Sequence, residues 1–520
     1  MENNYTHIPQ EKFAFAQKDA VIHDTKFDTK ARGYFADALI RFKKNKSSVA
    51  AAYIILFLVI FSIVSPIISP YSVYDKDNVF INHPPFNPTV AEWNIGILDG
   101  AVTRDSLNEV AIARLKAIGE ETGLEVYLRN IGVDETEMLI RGKKTIRKTY
   151  KVEVNKYYEQ GIIEKTISYE EFEKIQAWQN ESGVQVIFPA IDLDKVYPDA
   201  TAEDLRYVSL DPNIWYQCSD TKNTPVYDAD GNFIPAYVTD ASKAGAEYNS
   251  IRIKGDDGSY VYSIGKSGSV SVRICYYNYY RYLKNGEQPN YFFGTDQYGR
   301  DLFCAIGVGA RFSLVFAVLV SAINLTIGAV YGSIQGYYGG MIDMILDRIS
   351  DILSGVPFTV VAILFKLHLA EKVGVVASFL FAFVMTGWIG MAALTRKQFY
   401  RFKGQEYILA AKTLGASDKR LMFKHIFPNS LGTIITSCVL VIPGVINSET
   451  SLTYLGIINL SELFGTSIGE LMSLGQETMK DAPHAMLFPA LFISLLLISF
   501  NLFGNGLRDA FNPSTRGVDD

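Results

Sequence analysis

Side chains with the polarity and spacing to do chemistry are concentrated in two segments. The first, residues 293–303, reads Phe-Gly-Thr-Asp-Gln-Tyr-Gly-Arg-Asp-Leu-Phe and brings Asp296, Arg300 and Asp301 close together. Such opposite charges either form a network that anchors a helix at the level of membrane headgroups, which we favour, or contact a polar substrate. The candidate residues of this motif are Gly294, Thr295, Asp296, Gly299, Arg300 and Asp301.

The second segment, residues 405–428, predicts a helix–turn–helix. Helix-forming residues extend to Leu414, Gly415 interrupts them, and Ser417 is suited to cap a second short helix that ends at Pro428. Its apolar content predicts a docking surface for another protein; the alternative is a basic loop kept only for topology. The apolar residues in question are Ile408, Ala411, Leu414, Leu421, Met422 and Ile426. The candidate residues of the surface are Glu406, Leu409, Ala410, Ala411, Gly415, Ala416, Ser417, Lys419, Arg420 and Pro428.

The sequence contains no motif for catalysis by the chain itself. It has no G-x-x-x-x-G-K-[ST] phosphate loop, no H-E-x-x-H and no G-x-S-x-G in a strand–turn–helix setting. The four cysteines and six histidines show no metal-ligand spacing, so we predict no metal site, no bound cofactor and no ATP hydrolysis. A net charge of −6 also excludes the basic field that nucleic-acid binding requires.

The elements that position these segments are membrane spans. The chain has 520 residues, 48% of them hydrophobic, and its charge-free length falls into six stretches long enough to suggest six transmembrane helices. The first begins too far from the N-terminus and is too long for a signal peptide. The predicted spans are 47–74, 312–342, 352–365 (extendable to 369), 373–395, 426–448 and 482–507. None contains a charge at mid-depth, which argues against an ion-coupled carrier.

Basic residues in the short loops predict the orientation. Arg41, Lys43, Lys44 and Lys46 precede the first span, and residues 396–424 contain eight Lys or Arg against two acids. Because basic loops resist translocation, both termini and the 396–428 loop are predicted to be cytoplasmic. The segment 73–293 is then extracytoplasmic.

Residues 73–293 predict a folded soluble domain inserted between the first two spans. It carries 24 basic and 33 acidic residues, a net charge of −9, which leaves +3 for the remainder. Ser168 to Glu171 predicts a capping box for a helix to Ser182, and 184–191 a buried strand. Its other predicted strands, 250–254, 260–264 and 269–274 with a turn at Asp257-Gly258, suggest a β-meander. We therefore predict an α+β fold in which Cys218 and Cys275 either form a disulfide or, as we favour, are free buried thiols.

Two further patterns concern helices. Gly328, Gly332, Gly336 and Gly340 recur every four residues along the second span, which predicts one smooth face that packs against another helix or, less favoured, slides along a transport pathway. Before the first span, the aromatic and aliphatic residues of 34–42 predict an interfacial helix, after a segment that is equally consistent with a flexible tail.

The 405–428 segment resembles the cytoplasmic "EAA" signature of membrane subunits of ATP-binding-cassette (ABC) importers. Ala410, Ala411, Gly415 and Pro428 are in register, whereas Leu409 stands where the signature has Glu and Glu406 lies one turn earlier. Further segments resemble the C-type permease of oligopeptide and dipeptide importers in the same order. They are 41–46 with the first span, 293–303, 309–313, 337–348, 451–456 and 504–513.

This resemblance implies a type I ABC importer permease: an all-α membrane domain of six transmembrane helices, here with an inserted α+β extracytoplasmic domain. The expected division is a cytoplasmic segment 1–46, a first span 47–72, the insertion 73–293, a permease core 294–508 and a cytoplasmic tail 509–520. The implied partners are a homologous second permease, two cytoplasmic ATPases that bind ATP and Mg²⁺, an extracytoplasmic peptide-binding protein and membrane lipid. A membrane-anchored sensor or adhesin with a ligand-binding ectodomain is the alternative.

Overall fold

A computed structural model of the chain shows a helical bundle joined to a region of mixed helices and strands. The bundle comprises residues 34–72 and 302–511, and the mixed region lies between them. The residues that the structure describes are 34–93, 95–140, 143–191, 211–219, 222–234, 237–238, 252–255, 257–459 and 465–511. The predicted flexible tail and the end of the 504–513 motif lie outside these residues.

The bundle begins with a short amphipathic helix and continues with long apolar ones. The helix that the sequence predicts over residues 34–42 is present and continues to Lys44, and Phe42 packs edge-on against Phe503 of the last helix, with ring centroids 5.4 Å apart. The helices of the bundle are α1 (Tyr34–Lys44), α2 (Lys46–Ile68), α8 (Leu302–Tyr338), α9 (Gly340–Ser354), α10 (Phe358–Val373), α11 (Val375–Gly387), α12 (Ile389–Lys403), α13 (Glu406–Thr413), α14 (Asp418–Tyr454), α15 (Ile468–Glu477) and α16 (Pro483–Phe511).

Five helical segments of the described residues are long and apolar enough to cross a membrane: α2, α8, α11 with α12, α14 and α16. A sixth is obtained if α9 and α10, which are bent by 75° at a short break, form one span. The predicted third span 352–365 is therefore wrong in its bounds, because it includes that break. Pro357 explains the break, since proline disfavours a helical conformation in the residue before it and lacks a backbone N–H.

The predicted boundary between a short cytoplasmic helix and the fifth span is also wrong. α14 runs without interruption from Asp418 to Tyr454, through a widened π-helical turn at Leu421–Ile426. This turn lies immediately before Pro428, whose nitrogen has no hydrogen to donate to the carbonyl four residues earlier. The helix accommodates the proline by widening and does not end there.

Among its described residues, the mixed region contains short helices and strands that form three small sheets. The strand orders are β1–β3–β2, then β4–β9–β5 with β8 on β9, and a parallel pair β6–β7. The strands are β1 (Ala101–Leu107), β2 (Tyr127–Ile140), β3 (Lys143–Asn155), β4 (Ile162–Ser168), β5 (Ile187–Phe188), β6 (Tyr237–Val238), β7 (Arg252–Ile253), β8 (Ile264–Lys266) and β9 (Ser269–Cys275). The helices are α3 (Pro88–Ala91), α4 (Glu109–Thr122), α5 (Lys156–Glu159), α6 (Tyr169–Ser182) and α7 (Tyr276–Leu283).

The local predictions for this region have mixed outcomes. Helix α6 ends at Ser182 as predicted, and the Ser168 hydroxyl accepts the N–H of Glu171 at 3.1 Å. The β-meander is present in part: Lys254 and Tyr260 form an antiparallel bridge around the predicted turn, and β8 pairs antiparallel with β9. Strand β7 differs from the prediction, because it also pairs in parallel with β6. The buried segment 186–191 contains only the two-residue strand β5. Cys218 and Cys275 are both buried and do not form a disulfide with each other, which agrees with the favoured alternative.

An aromatic core ties the mixed region to the bundle. The rings of Phe86 and Tyr157 stack with centroids 4.4 Å apart, as do those of Tyr71 and Tyr291. Tyr71 follows α2 and Tyr291 precedes α8, so the same stack holds the two points where the chain passes between the regions. Because these rings are buried and stacked, the mixed region is attached through a packed interface and not through a flexible tether.

Candidate coupling surface and charged junction

Helix α13 presents one side to the bundle and the other to solvent. Ile408 is buried in an apolar cluster with Leu421, Met422 and Ile426 of α14, together with Phe399 and Tyr337. Of the six apolar residues that the sequence analysis assigned to a docking surface, these four are buried and Ala411 is half-buried; only Leu414 is exposed. They hold α13 against the bundle, because the amphipathic face of a short helix must be covered by its own protein to be stable.

The exposed face of α13 is nevertheless apolar. Leu414 is 88% exposed and Leu409 is 52% exposed, and Tyr407 and Phe423 of the same segment are exposed as well. Glu406, Ala410, Lys419, Arg420 and Pro428 are also exposed, whereas Ala416 is half-buried. Large apolar side chains at this exposure, surrounded by charges, are typical of a protein–protein contact. The apolar side chains of this segment that remain accessible to another protein are therefore those of Leu409 and Leu414. The other apolar side chains are covered by the bundle.

Gly415 makes the turn between α13 and α14. Its φ is +83°, a conformation that residues with a side chain rarely adopt, and no atom lies within 4 Å of where a Cβ would be. Glycine is required here by the backbone and not by lack of space. Ser417 adopts the extended conformation of a cap and its carbonyl accepts the N–H of Leu421, but its hydroxyl makes no capping hydrogen bond.

Polar contacts join this segment and α12 to the end of α8 and to α9. The Tyr337 hydroxyl donates to Asp418 at 2.6 Å, and the Lys403 ammonium donates to the Tyr337 carbonyl. The Arg396 guanidinium bridges two carboxylates of α9, Asp343 and Asp347, at 2.7 Å each. These contacts connect α12 and α14 to the break between α8 and α9.

The glycine face of α8 packs directly on α12. A Cβ on Gly332 would lie 2.1 Å from the Ala392 carbonyl oxygen, and Cβ atoms on Gly328 and Gly336 would lie 2.6 Å from side chains of α12. No side chain fits at such distances. These three glycines therefore pack against another helix, which is the alternative that the sequence favoured. Gly340 is different: it begins α9, beyond a break at Gly339, and nothing lies within 4 Å of its Cβ position.

The 293–303 motif forms a buried joint between the bundle and the mixed region. Arg300 donates to Asp296 at 2.7 Å and to the Gly465 carbonyl at 2.9 Å, and lies 3.7 Å from Glu470 of α15. Asp301 caps α8 by accepting the N–H groups of Phe303 and Cys304, and it also accepts the Ser69 hydroxyl at 2.7 Å. The sequence predicted that these charges anchor an interfacial helix. In the structure they hold the start of α8 itself.

The remaining residues of the motif complete this joint. A Cβ on Gly294 would lie 2.4 Å from the His83 carbonyl and one on Gly299 2.0 Å from that of Asp77. Thr295 accepts the N–H of His83 and donates to the Phe80 carbonyl. The four polar side chains, of Thr295, Asp296, Arg300 and Asp301, are at most 3% exposed. Burial raises the pKa of Asp301 to about 6. This degree of burial favours a structural role over substrate contact.

One buried acid was missed by the sequence analysis. Glu449 of α14 is fully buried, and its carboxylate accepts the Ser313 hydroxyl of α8 at 2.7 Å. Glu449 lies just beyond the predicted span, which ended at 448, whereas the helix continues to Tyr454. The run of helix-compatible residues after 448 is the signal that would have placed Glu449 inside it.

Two protein-family models match the chain. The family model "Binding-protein-dependent transport system inner membrane component" matches residues 328–517, and "N-terminal TM domain of oligopeptide transport permease C" matches residues 33–85. The described part of the first segment belongs to the helical bundle, and the second segment covers α1, α2 and the first residues of the mixed region. The first includes α13, Gly415 and the glycine face of α8.

Several curated proteins are similar to the chain. The oligopeptide transport system permease protein OppC of Bacillus subtilis (strain 168) is 40% identical over 237 residues, which are 45% of this chain and 76% of the relative. The dipeptide transport system permease protein DppC of the same organism is 39% identical over 228 residues, 44% of this chain and 70% of the relative. The glutathione transport system permease protein GsiD of Escherichia coli O1:K1 / APEC is 34% identical over 242 residues, 46% of this chain and 78% of the relative.

Two solved transporters show a weak structural likeness. The MetNI methionine ABC transporter matches at a TM-score of 0.31 and 13% identity, covering 40% of this chain and 96% of the matched chain. An amino acid ABC transporter matches at 0.30 and 12% identity, covering 38% and 92%.

The family and the apolar helices together establish a multi-pass membrane protein with a non-catalytic transport role. The helical region has the type I ABC importer permease fold that the sequence predicted. The chain therefore belongs to the binding-protein-dependent transport system inner membrane components, as a C-type permease of the oligopeptide and dipeptide ABC importers.

Proposed function

We propose that this chain forms half of the translocation pathway of an ATP-driven peptide importer. A homologous second permease supplies the other half, two cytoplasmic ATPases supply the energy, and an extracytoplasmic binding protein delivers the peptide. The relatives named above are permeases for oligopeptides, dipeptides and glutathione, so peptides are the substrate class that they share. ATP and Mg²⁺ are bound by the partner ATPases and not by this chain.

The proposed topology has six spans, with α9 and α10 together as the third. The 75° bend at Gly355–Pro357 lies within this span. Basic residues before α2 and around α13 favour a cytoplasmic location for both termini and for the coupling segment 396–428. Residues 73–293 are then extracytoplasmic, and the core of the permease comprises residues 294–508.

One observation carries the ATPase contact: α13 is anchored on one side and apolar on the other. Ile408 fixes the helix to the bundle while Leu409 and Leu414 stay exposed. Docking of an ATPase would bury these leucines, and burial of one leucine contributes roughly 1.5–3 kcal/mol. Leu409 stands at the signature position that is normally held by Glu. An apolar contact therefore takes the place of an acid at this surface, and the carboxylate nearest along the chain is that of Glu406.

The mixed region is proposed to guide the binding protein at the entry side. It is acidic, with a net charge of −9, and the stacked rings of Tyr71 and Tyr291 hold it in one orientation over the bundle. A rigid attachment suits a docking platform, because a platform on a flexible tether would lose binding free energy to ordering.

The proposal is tested by making the exposed face of α13 charged. The substitution Leu414→Asp in the full importer is expected to reduce recovery of the ATPases with the permease by at least tenfold, because a carboxylate would have to be buried at the contact. The measurement is the amount of ATPase co-purified with the tagged chain and the ATP hydrolysis of the purified complex. Leu283→Asp serves as a matched control, since Leu283 is 55% exposed but lies in α7 of the mixed region. Equal ATPase recovery for both variants would contradict the proposed contact.

A further inference from the structure

A cavity of about 910 Å³ lies beside the end of α2, between the segment that follows it and the first half of α8. Its walls are mainly apolar, and its charged side chains are Asp75 and Arg311. The volume is at the upper end of the roughly 300–1,000 Å³ that is usual for sites that bind small molecules. None of its charged residues belongs to the coupling segment or to the buried joint described above.

Arg311 stands where the apolar part of α8 begins. It is the last charged residue before the charge-free stretch 312–342, and Asp75 is the first charged residue after the charge-free stretch 47–74 of the neighbouring α2. Both side chains therefore mark one boundary between hydrocarbon and headgroups. Tyr74, which is 65% exposed at the same level, is the kind of amphipathic ring that is enriched there.

The Arg311 side chain is exposed, and within the part of the chain that the structure describes it makes no hydrogen bond or ion pair. A guanidinium presents its donors in a fork that matches phosphate oxygens, and basic pockets between membrane helices recognise lipid headgroups in this way. Below Arg311 the cavity wall continues into the bilayer as Val315, 65% exposed, and Leu319, 47% exposed. These side chains suit an acyl chain.

The composition of the wall argues against another helix as the occupant. Where α8 packs closely on other helices, it uses glycines: Gly328, Gly332 and Gly336 against α12, and Gly307 against Ser65 of α2 beside the cavity. At the cavity it uses Phe312, Val315 and other large side chains, which hold a neighbouring backbone at a distance. Close helix contacts in membranes depend on small residues, so this face is shaped for a deformable apolar ligand.

We propose that the cavity binds one glycerophospholipid, with its phosphate on Arg311 and an acyl chain along Val315 and Leu319. Asp75 lies at the mouth of the same cavity and would face the group attached to the phosphate. An ammonium there is favoured by the carboxylate, so phosphatidylethanolamine is the preferred headgroup over phosphatidylglycerol. Binding of this lipid would fix the end of α2 against α8.

The experiment measures lipid that stays bound to the purified full importer. The complex is reconstituted in nanodiscs of equal phosphatidylethanolamine and phosphatidylglycerol, extracted in mild detergent, and the retained lipids are counted by native mass spectrometry. The wild type is expected to retain one phospholipid, and Arg311→Gln to lower its occupancy at least tenfold. Arg348→Gln is the control, since Arg348 is 77% exposed on α9 and away from the cavity. Asp75→Asn should lower the preference for phosphatidylethanolamine about threefold.

A second variant separates loss of lipid from loss of fold. Val315→Trp fills the cavity and keeps Arg311, so the complex should lose the lipid while remaining monodisperse. The proposal is overturned if the wild type retains no lipid, if Arg311→Gln retains it, or if Val315→Cys forms a cross-link to the second permease. Lipid counting does not depend on turnover, so its outcome is independent of whether the transport proposal holds.

Discussion

Replacing Gly415 by valine perturbs the turn between α13 and α14 without a steric clash. The residue has a φ of +83° and open space around its Cβ position, so the cost lies in the backbone alone. The left-handed conformation costs roughly 1–2 kcal/mol for a residue with a side chain, and valine is at the unfavourable end because it is β-branched. A cost of 1–2 kcal/mol lowers the population of the native turn, relative to rearranged turns, by a factor of about 5–30.

The expected result is transport that is uncoupled from ATP hydrolysis. Leu409 and Leu414 remain available to the ATPases, so hydrolysis continues, but the turn no longer holds α13 in a fixed orientation to α14. Peptide uptake per ATP hydrolysed should therefore fall about 5–30-fold. The assay uses proteoliposomes that contain the full importer, with labelled peptide uptake and phosphate release measured in the same sample. Gly415→Asn should retain most of the coupling, because asparagine tolerates the left-handed conformation.

The matched control is Gly390→Val. Gly390 also has no atom within 4 Å of its Cβ position, but it lies in α12 and does not have a positive φ. Its ratio of uptake to hydrolysis should equal that of the wild type. The reasoning is refuted if Gly415→Val shows the wild-type ratio at wild-type abundance, or if Gly415→Asn is impaired as severely as the valine variant.

Two further predictions concern the packed parts of the bundle. Gly332→Val would place a Cβ 2.1 Å from the Ala392 carbonyl, so we expect a loss of about 1–3 kcal/mol and a lower Tm of the purified complex, whereas Gly444→Val, which has open space, leaves Tm unchanged. Arg300→Gln leaves the buried Asp296 without its cation and is expected to cost about 3–5 kcal/mol, seen as loss of the folded chain from membranes. A folded Arg300→Gln protein with altered peptide affinity alone would favour the substrate-contact alternative.

The coarse architecture could be predicted because hydrophobic length is a local property. A charge-free stretch of twenty or more residues must be a helix when it crosses a bilayer, since every backbone polar group has to be satisfied within it. This reasoning identified the regions of α2, α8, α14 and α16 correctly. It failed at residues 352–365, because charge alone does not reveal that Pro357 divides the stretch between two helices.

Side-chain orientation in the coupling segment could not be predicted in the same way. Apolar residues of α13 and α14 were all assigned to one docking surface, but a short helix has two faces and only its neighbours decide which is covered. Phe399 and Tyr337, from α12 and α8, cover Ile408 and leave Leu414 exposed. These contacts join residues that are far apart in the chain, so no local pattern contains them.

The sequence by itself determined that the chain is a membrane permease with an acidic insertion. It also determined that the coupling segment contains a turn that depends on glycine. Length, charge and local motifs carry that information because hydrophobic transfer and backbone strain act within a few turns of the chain. Only the tertiary structure decided that Glu449 is buried against Ser313 and that Arg300 is enclosed by Asp296 and the Gly465 carbonyl. The same is true of Arg311, whose side chain lines a cavity. Burial and pairing depend on which distant segments pack together, and packing is a property of the whole fold.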